Sequence, residues 1–407
     1  MSTILIKRVK IETGFTYVGN RVSGTTTAEV DILVKDGKIE EIGTDLTNHA
    51  DEIIDGNGDL LMPTFREMHI HVDKTYFGGP WKATVPATKG IVSRIEEEEL
   101  LLPKQLPVAL ERAENMIGWL LSQGHTHIRT HCNVDPHIGT KHIELTVEAF
   151  KKFEGKLTYD VVAFPQHGLL RSKVEPLMRE AMRKGATLVG GVDPATLDRH
   201  IERSLHATMD IAVEANAGLD LHIHDGGSLG AFEFKKFAEL VTEAGKIGQA
   251  TISHAMALGD LKGGELEETV SILRTAQMDV TTTIPIGRTT IPIPYLYDNG
   301  VKVSLGHDSL IDHWSPFGTG DTIEKLCILA ERFRFMDEYA LNRSWKYASG
   351  GITPLNDEGQ QVWPRKGDDA NFLLLDAVCS AQVVARRQPI TRVIYQGKVV
   401  QGKGVQA

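Results

Sequence analysis

Pro63-Thr64-Phe65-Arg66-Glu67-Met68-His69-Ile70-His71-Val72-Asp73-Lys74 is the stretch on which the reading of this chain turns. It continues an apolar run, Leu60-Leu61-Met62, so residues 60–71 read as one buried strand. Side chains two apart on a strand point the same way, which puts the His69 and His71 imidazoles on one side. Two neutral imidazoles on one face are the beginning of a divalent-metal site. An H-x-H alone is weak, because short motifs recur by chance, so the decision rests on donors elsewhere.

Further strands are expected over 125–133, 157–166, 187–193, 220–224, 251–254, 279–285 and 301–308. Helical stretches lie between them at 108–123, 175–184, 200–216, 232–244 and 265–276. Strand–helix alternation repeated eight times is the α/β pattern of a (β/α)8 TIM barrel, in which catalytic groups sit at C-terminal strand ends. The two termini have a different texture. Short alternating runs at 4–9, 28–34 and 39–43, with Asp36-Gly37 as a hairpin turn, are matched by runs at 370–376 and 392–400. Neither end can close a core alone. We expect residues 1–59 and 365–407 to form one composite β-sandwich beside a barrel at 60–364. Residues 76–104 are longer than an ordinary connection, and the acidic run 96–99 within them reads as a solvated helix face. Such a loop suits a lid or an oligomer contact.

Composition narrows the partners. With 407 residues, 41% hydrophobic and 24% charged, the chain is an ordinary globular protein. A net charge of −10 without a Lys/Arg tract argues against nucleic acid or an anionic membrane and favours a small-molecule substrate. Cys132, Cys327 and Cys379 form neither a disulfide framework nor a C-x-x-C site, which suits a reducing, cytoplasmic setting. No run reaches the roughly eighteen apolar residues of a membrane span.

Reading only the C-terminal ends of the expected strands gives His69 and His71, Gln166-His167, His222-Ile223-His224-Asp225, His254, and His307-Asp308-Ser309. His69, His71, His222 and Asp308 would together hold one divalent ion and leave a position for water, whose pKa such an ion lowers toward 7. His127, His131, His137, His142 and His307 read instead as satisfied barrel residues.

Several stretches carry a family resemblance: Val34-Lys35-Asp36-Gly37-Lys38-Ile39, the H-x-H, the histidines of the fifth and sixth strands, and Gly306-His307-Asp308-Ser309. Together with Gly190-Gly191-Val192-Asp193-Pro194 and Pro316-Phe317-Gly318-Thr319-Gly320-Asp321, they resemble the amidohydrolase superfamily over essentially the whole chain. The resemblance is to its branch of cytosine deaminase and N-isopropylammelide isopropylaminohydrolase. It implies one zinc or iron ion, because the fourth strand lacks the lysine that bridges two metals in other members. It also implies a homo-oligomer, and hydrolysis of an exocyclic C–N bond on a pyrimidine or s-triazine type of heterocycle by metal-bound hydroxide. Gln166, Ser309 and Trp314 would contact or wall in the substrate. His254 would stabilise the developing oxygen, and Asp308 would both ligate the metal and accept a proton.

The sequence departs from that branch at Asp225, where cytosine deaminase has a proton-shuttling glutamate. The shorter aspartate places its carboxylate about an ångström further back. His224, two residues from His222, should face the same pocket, and an imidazole can do the same acid–base work. We therefore expect His224 to be the shuttle, with Asp225 orienting it or touching the substrate. His167 and Ser309 stand where that enzyme has acidic residues, which removes negative charge from the pocket. The alternatives are a true cytosine deaminase and a catalytically silent barrel used for binding. The mark of the latter would be a lost ligand, and none is lost.

Overall fold

The computed structural model describes residues 3–47, 50–286 and 289–402. β1 (Thr3–Val18) and β2 (Arg21–Lys35) form a long antiparallel hairpin, and β3 (Lys38–Gly43) returns against β2. The turn between the last two is Asp36-Gly37, both left-handed at φ +50° and +78°, which glycine adopts without steric cost. β4 (Glu52–Asp55) and β5 (Leu60–Pro63) lie parallel to β1.

The barrel follows: β6 (Phe65–Ile70), β7 (His125–Asn133), β8 (Thr158–Phe164), β9 (Leu188–Val192), β10 (Gly218–His222), β11 (Ala250–Ser253), β12 (Asp279–Thr282) and β13 (Val303–Leu305). Each pairs in parallel with the next, and a bridge between Ile70 and Asp308 brings the last back to the first. This is the expected (β/α)8 barrel. Its strands are almost continuously buried because helices cover them outside and packed side chains fill them inside. Finally β14 (Phe372–Leu375), β15 (Ile390–Tyr395) and β16 (Lys398–Gly402) join the terminal sheet, in the order β16-β15-β14-β5-β1-β2-β3 with β4 on β1. Both termini thus build one sheet, with a core of its own around Ile6, Ile32, Ile54, Leu61, Phe372 and Ile394. Residues 1–2, 48–49 and 403–407 of the expected composite unit lie outside the described residues.

Three expectations need correction. The run 60–71 is two strands: Leu60–Pro63 pairs antiparallel with β14, and only Phe65–Ile70 enters the barrel. Pro63 has no N–H with which to extend the ladder, and the chain changes sheets there. The expected strand at 220–224 ends at His222, because the His224 amide donates to the Asp193 carboxylate at 2.7 Å rather than to a neighbouring strand. The second half of the supposed loop 76–104, from Ile91 onward, is helix. α1 (Ile91–Ser122) runs 32 residues through Pro103 and Pro107. Prolines normally end a helix, yet here Arg94, Ile95, Glu98, Leu102, Gln105 and Ala109 keep one face buried across both. Among the described residues no helix is long and apolar enough to cross a membrane.

Barrel closure leaves no space at Gly306: a Cβ there would sit 2.6 Å from the His69 Cβ and 2.9 Å from the His69 amide nitrogen and carbonyl oxygen. Gly306→Ala should therefore lose about 1–3 kcal/mol of stability, read as a lowered urea midpoint at unchanged slope.

Candidate active site

The C-terminal mouth of the barrel brings His69, His71, His222 and Asp308 together, with one ligand atom from each lying within 4.8 Å of all the others. The Asp308 Oδ1 is 3.4 Å from His69 Nε2 and 3.2 Å from His71 Nε2, while its Oδ2 is 3.9 Å from His254 Nε2. His69 Nε2, His254 Nε2 and both ring nitrogens of His222 are buried without a hydrogen-bond partner. Buried polar atoms are nearly always paired, so this concentration of unpaired imidazole nitrogens has the chemistry of a cation site. Burial, reinforced by neighbouring imidazoles, holds His222 and His254 well below the ordinary histidine pKa, which leaves both neutral, His222 able to ligate and His254 with one N–H to donate. Three imidazoles and one carboxylate fit a single divalent ion.

The ligand rings are fixed from behind. His71 Nδ1 bonds the His131 carbonyl oxygen at 2.9 Å, so Nδ1 carries the proton and Nε2 presents its lone pair. His69 Nδ1 contacts Ser253 Oγ at 2.7 Å; that hydroxyl donates to Asp220 at 2.6 Å, and Asp220 pairs with Arg129 at 3.0 Å. Such outer partners set the tautomer and orientation of a metal-binding histidine. His254 and Asp308 take left-handed φ values of +71° and +60°, unusual for non-glycine residues and frequent at functional sites.

His224 is half-buried, with its ring 4.3 Å from that of His254 and 5.9 Å from that of His222. Its Nδ1 lies 3.0 Å from Asp193 Oδ2. The carboxylate on its Nδ1 is thus Asp193, which leaves Asp225 the other expected part, a contact with the substrate. Asp225 bonds Thr196, through the hydroxyl and through the amide at 3.3 Å. The H-x-H-D spacing suggested an adjacent partner, whereas the real one comes from the end of the neighbouring strand β9.

Gln166 and Trp314 meet at a second corner. Lys74 Nζ donates to Gln166 Oε1 at 2.8 Å and lies 5.5 Å from the Trp314 ring centroid. The Trp314 indole N–H donates to Glu98 at 2.8 Å. Glu98, in the run read as solvated, is 0% exposed. Its carboxylate also accepts from Lys74, Asn133, His167 and His313. Burial pushes it up, but Lys74 and the His167 and His313 donors hold it well below the usual carboxylate range. A buried acid from α1 thus reaches Gln166 through Lys74. Ser309 is half-buried next to Asp308.

Of the histidines read as ordinary barrel residues, His127, His142 and His307 each have a partner, Thr158, Asp73 and Glu67 respectively. His131 does not fit that reading. Both of its ring nitrogens are buried without a hydrogen bond, Nε2 lying 3.8 Å from Asp220 Oδ2, with its ring 4.2 Å from that of His69 and 4.6 Å from that of His222.

The sequence profile of the amidohydrolase family matches residues 95–401, and the chain belongs to that family. It is 40% identical over 402 residues to the uncharacterised protein YahJ of Escherichia coli, spanning 98% of this chain and 87% of that one. It is 26% identical over 379 residues to the N-isopropylammelide isopropyl amidohydrolase of Pseudomonas sp. strain ADP, spanning 91% of this chain and 93% of that one. The crystal structure of N-isopropylammelide isopropylaminohydrolase from Burkholderia multivorans superposes over 100% of both chains, at a TM-score of 0.86 and 27% identity.

Ser253→Ala removes the hydroxyl that holds His69. Its affinity for zinc, measured by competition with a chromogenic chelator, should fall roughly 10–100-fold with the fold intact.

Proposed function

We propose that this protein is a metal-dependent aminohydrolase that cleaves an exocyclic C–N bond on a nitrogen heterocycle of the pyrimidine or s-triazine type. The observation that carries the reading is the set of unpartnered imidazole nitrogens around Asp308, open at the mouth of a barrel. Full-length likeness to two enzymes named for N-isopropylammelide favours the triazine side. His69, His71, His222 and Asp308 would hold the ion, and their N/O donor set suits zinc or iron. When bound, such an ion supplies Lewis acidity and brings the pKa of a water toward neutrality.

The chain's own groups divide the remaining work. Asp308 Oδ2, on the His254 side of its carboxylate, takes the proton of the attacking water. His254 Nε2–H stabilises negative charge as the ring carbon becomes tetrahedral. His224, with Nδ1 held by Asp193, gives a proton through Nε2 to the departing nitrogen, and the proton taken by Asp308 returns to His224 by way of solvent. Gln166 donates to the ring edge, and Trp314 and Ser309 frame the pocket. Water adds to the ring carbon, the C–N bond breaks, and ammonia or an alkylamine leaves with the proton.

The test is product release from metal-loaded protein with isopropylammelide, ammelide, cytosine, 5-substituted cytosines and amino-pterins, scoring ammonia and alkylamine separately. Alkylamine from isopropylammelide supports the triazine reading. Ammonia from cytosine alone would move the protein to the cytosine deaminase reading. Within the same assay, His224→Ala and Asp193→Asn should each lower kcat, the former by about 10²–10⁴, while Asp225→Ala should cost far less. Full activity in His224→Ala would remove the histidine from the mechanism.

A further inference from the structure

Glu98 lies outside the metal site, yet five side-chain donors around the pocket end on its carboxylate. Its Oε1 accepts from Lys74 Nζ at 3.3 Å, His313 Nε2 at 2.8 Å and Trp314 Nε1 at 2.8 Å. Its Oε2 accepts from Asn133 Nδ2 and His167 Nε2, both at 2.9 Å. Five donors from four segments of the barrel mouth thus converge on one carboxylate delivered by α1, which saturates its acceptor capacity. Lys74, 1% exposed, is saturated too: its three N–H groups go to Glu98, to Asn133 Oδ1 at 3.2 Å and to Gln166 Oε1 at 2.8 Å. No proton of Lys74 is left for a substrate.

We propose that Glu98 is a positioning residue that sets the hydrogen-bonding polarity of the substrate pocket through Lys74 and Gln166. Lys74 fixes the Gln166 carbonyl toward itself and occupies one of its two lone pairs, so the NH2 group, which makes no described hydrogen bond, is the end offered to a ligand. The chain Glu98–Lys74–Gln166 makes this edge of the pocket a donor. It selects heterocycles that present a carbonyl oxygen or an unprotonated ring nitrogen there, and it rejects those that present an N–H. Through the indole N–H the same carboxylate holds Trp314 against Lys74. The ligands His69, His71, His222 and Asp308 make no contact with Glu98 among the described hydrogen bonds, so its loss should leave metal binding in place.

The test is Glu98→Gln in the metal-loaded protein, read three ways: metal content, kinetics, and the side-chain amide NMR signals of Gln166, assigned by their disappearance in Gln166→Glu. The variant should keep one ion per chain and raise KM about tenfold or more with kcat within about threefold, since the lost contacts hold substrate rather than the reacting atoms. The Gln166 signals should move. In Gln166→Glu, which keeps an acceptor for Lys74 but has no NH2, Glu98→Gln should cause no further rise in KM. Unmoved Gln166 signals, or losses that multiply in the double variant, would overturn the inference. If Glu98→Gln does not fold, Glu98→Gln/Lys74→Met removes both charges together and is read by the same criteria. The kinetic arm rests on the aminohydrolase reading. If no panel substrate reacts with the wild type, that reading fails, while the amide signals still decide the role of Glu98.

Discussion

The hydrogen bond from the Asp308 amide to the His69 carbonyl, at 2.6 Å, closes the barrel between two of the candidate metal donors. Closure and site assembly are therefore the same event. β13 reaches β6 only because Gly306 has no side chain. The buried Glu67 then ties the join from inside: its Oε1 accepts from the His69 amide at 2.9 Å and the His307 amide at 3.1 Å. This accounts for the bulky, charged lead-in Phe65-Arg66-Glu67-Met68. Phe65 packs 4.9 Å from the Trp345 ring, and Glu67 fastens the first strand to the last. The left-handed backbone of Asp308 is held by these contacts and aims its carboxylate back at His69 and His71.

Around that join, the buried acids are each held by a cation or by several donors. Asp220 meets Arg129 and Ser253, Asp73 meets His142, Asp193 meets His224, and Glu98 meets Lys74 with four further donors. Removing one partner from such a pair leaves a charge stranded in a low-dielectric interior, which is costly. The same pairing keeps the rings and amides at the mouth in one orientation before a ligand arrives, which is how enzymes reduce reorganisation during reaction. Exposed ion pairs such as that of Lys151 with Glu148 add little by comparison.

Much of the barrel was legible because a parallel strand buried on both faces leaves a plain apolar run. β7 has the expected bounds, and β8, β9 and β11 lie within a residue or two of theirs. His69, His71, His222 and Asp308 could be picked out together because the barrel topology assigns one end of every strand to the site. What could not be read was pairing across the sequence. Glu98 and its donors are separated by up to 216 positions, and a run of four glutamates looks solvated unless the apolar spacing of Ile95 and Leu102 is followed through two prolines. Asp193 and His224 are 31 positions apart. His131 reads as ordinary because a histidine inside a strand is usually satisfied; only the folded barrel shows it packed against the rings of His69 and His222 without a hydrogen bond, its Nε2 3.8 Å from Asp220.

The most direct measurement is the metal content per chain of purified wild-type protein and of His222→Ala, by inductively coupled plasma mass spectrometry. His222 makes no hydrogen bond through either ring nitrogen, so the variant removes a donor and disturbs little else. One zinc or iron ion per wild-type chain, lost in His222→Ala with the thermal transition still cooperative, is the result our account predicts. A wild-type chain that takes up no stoichiometric divalent ion, or a variant that keeps it, would contradict the claim that these residues form a metal centre.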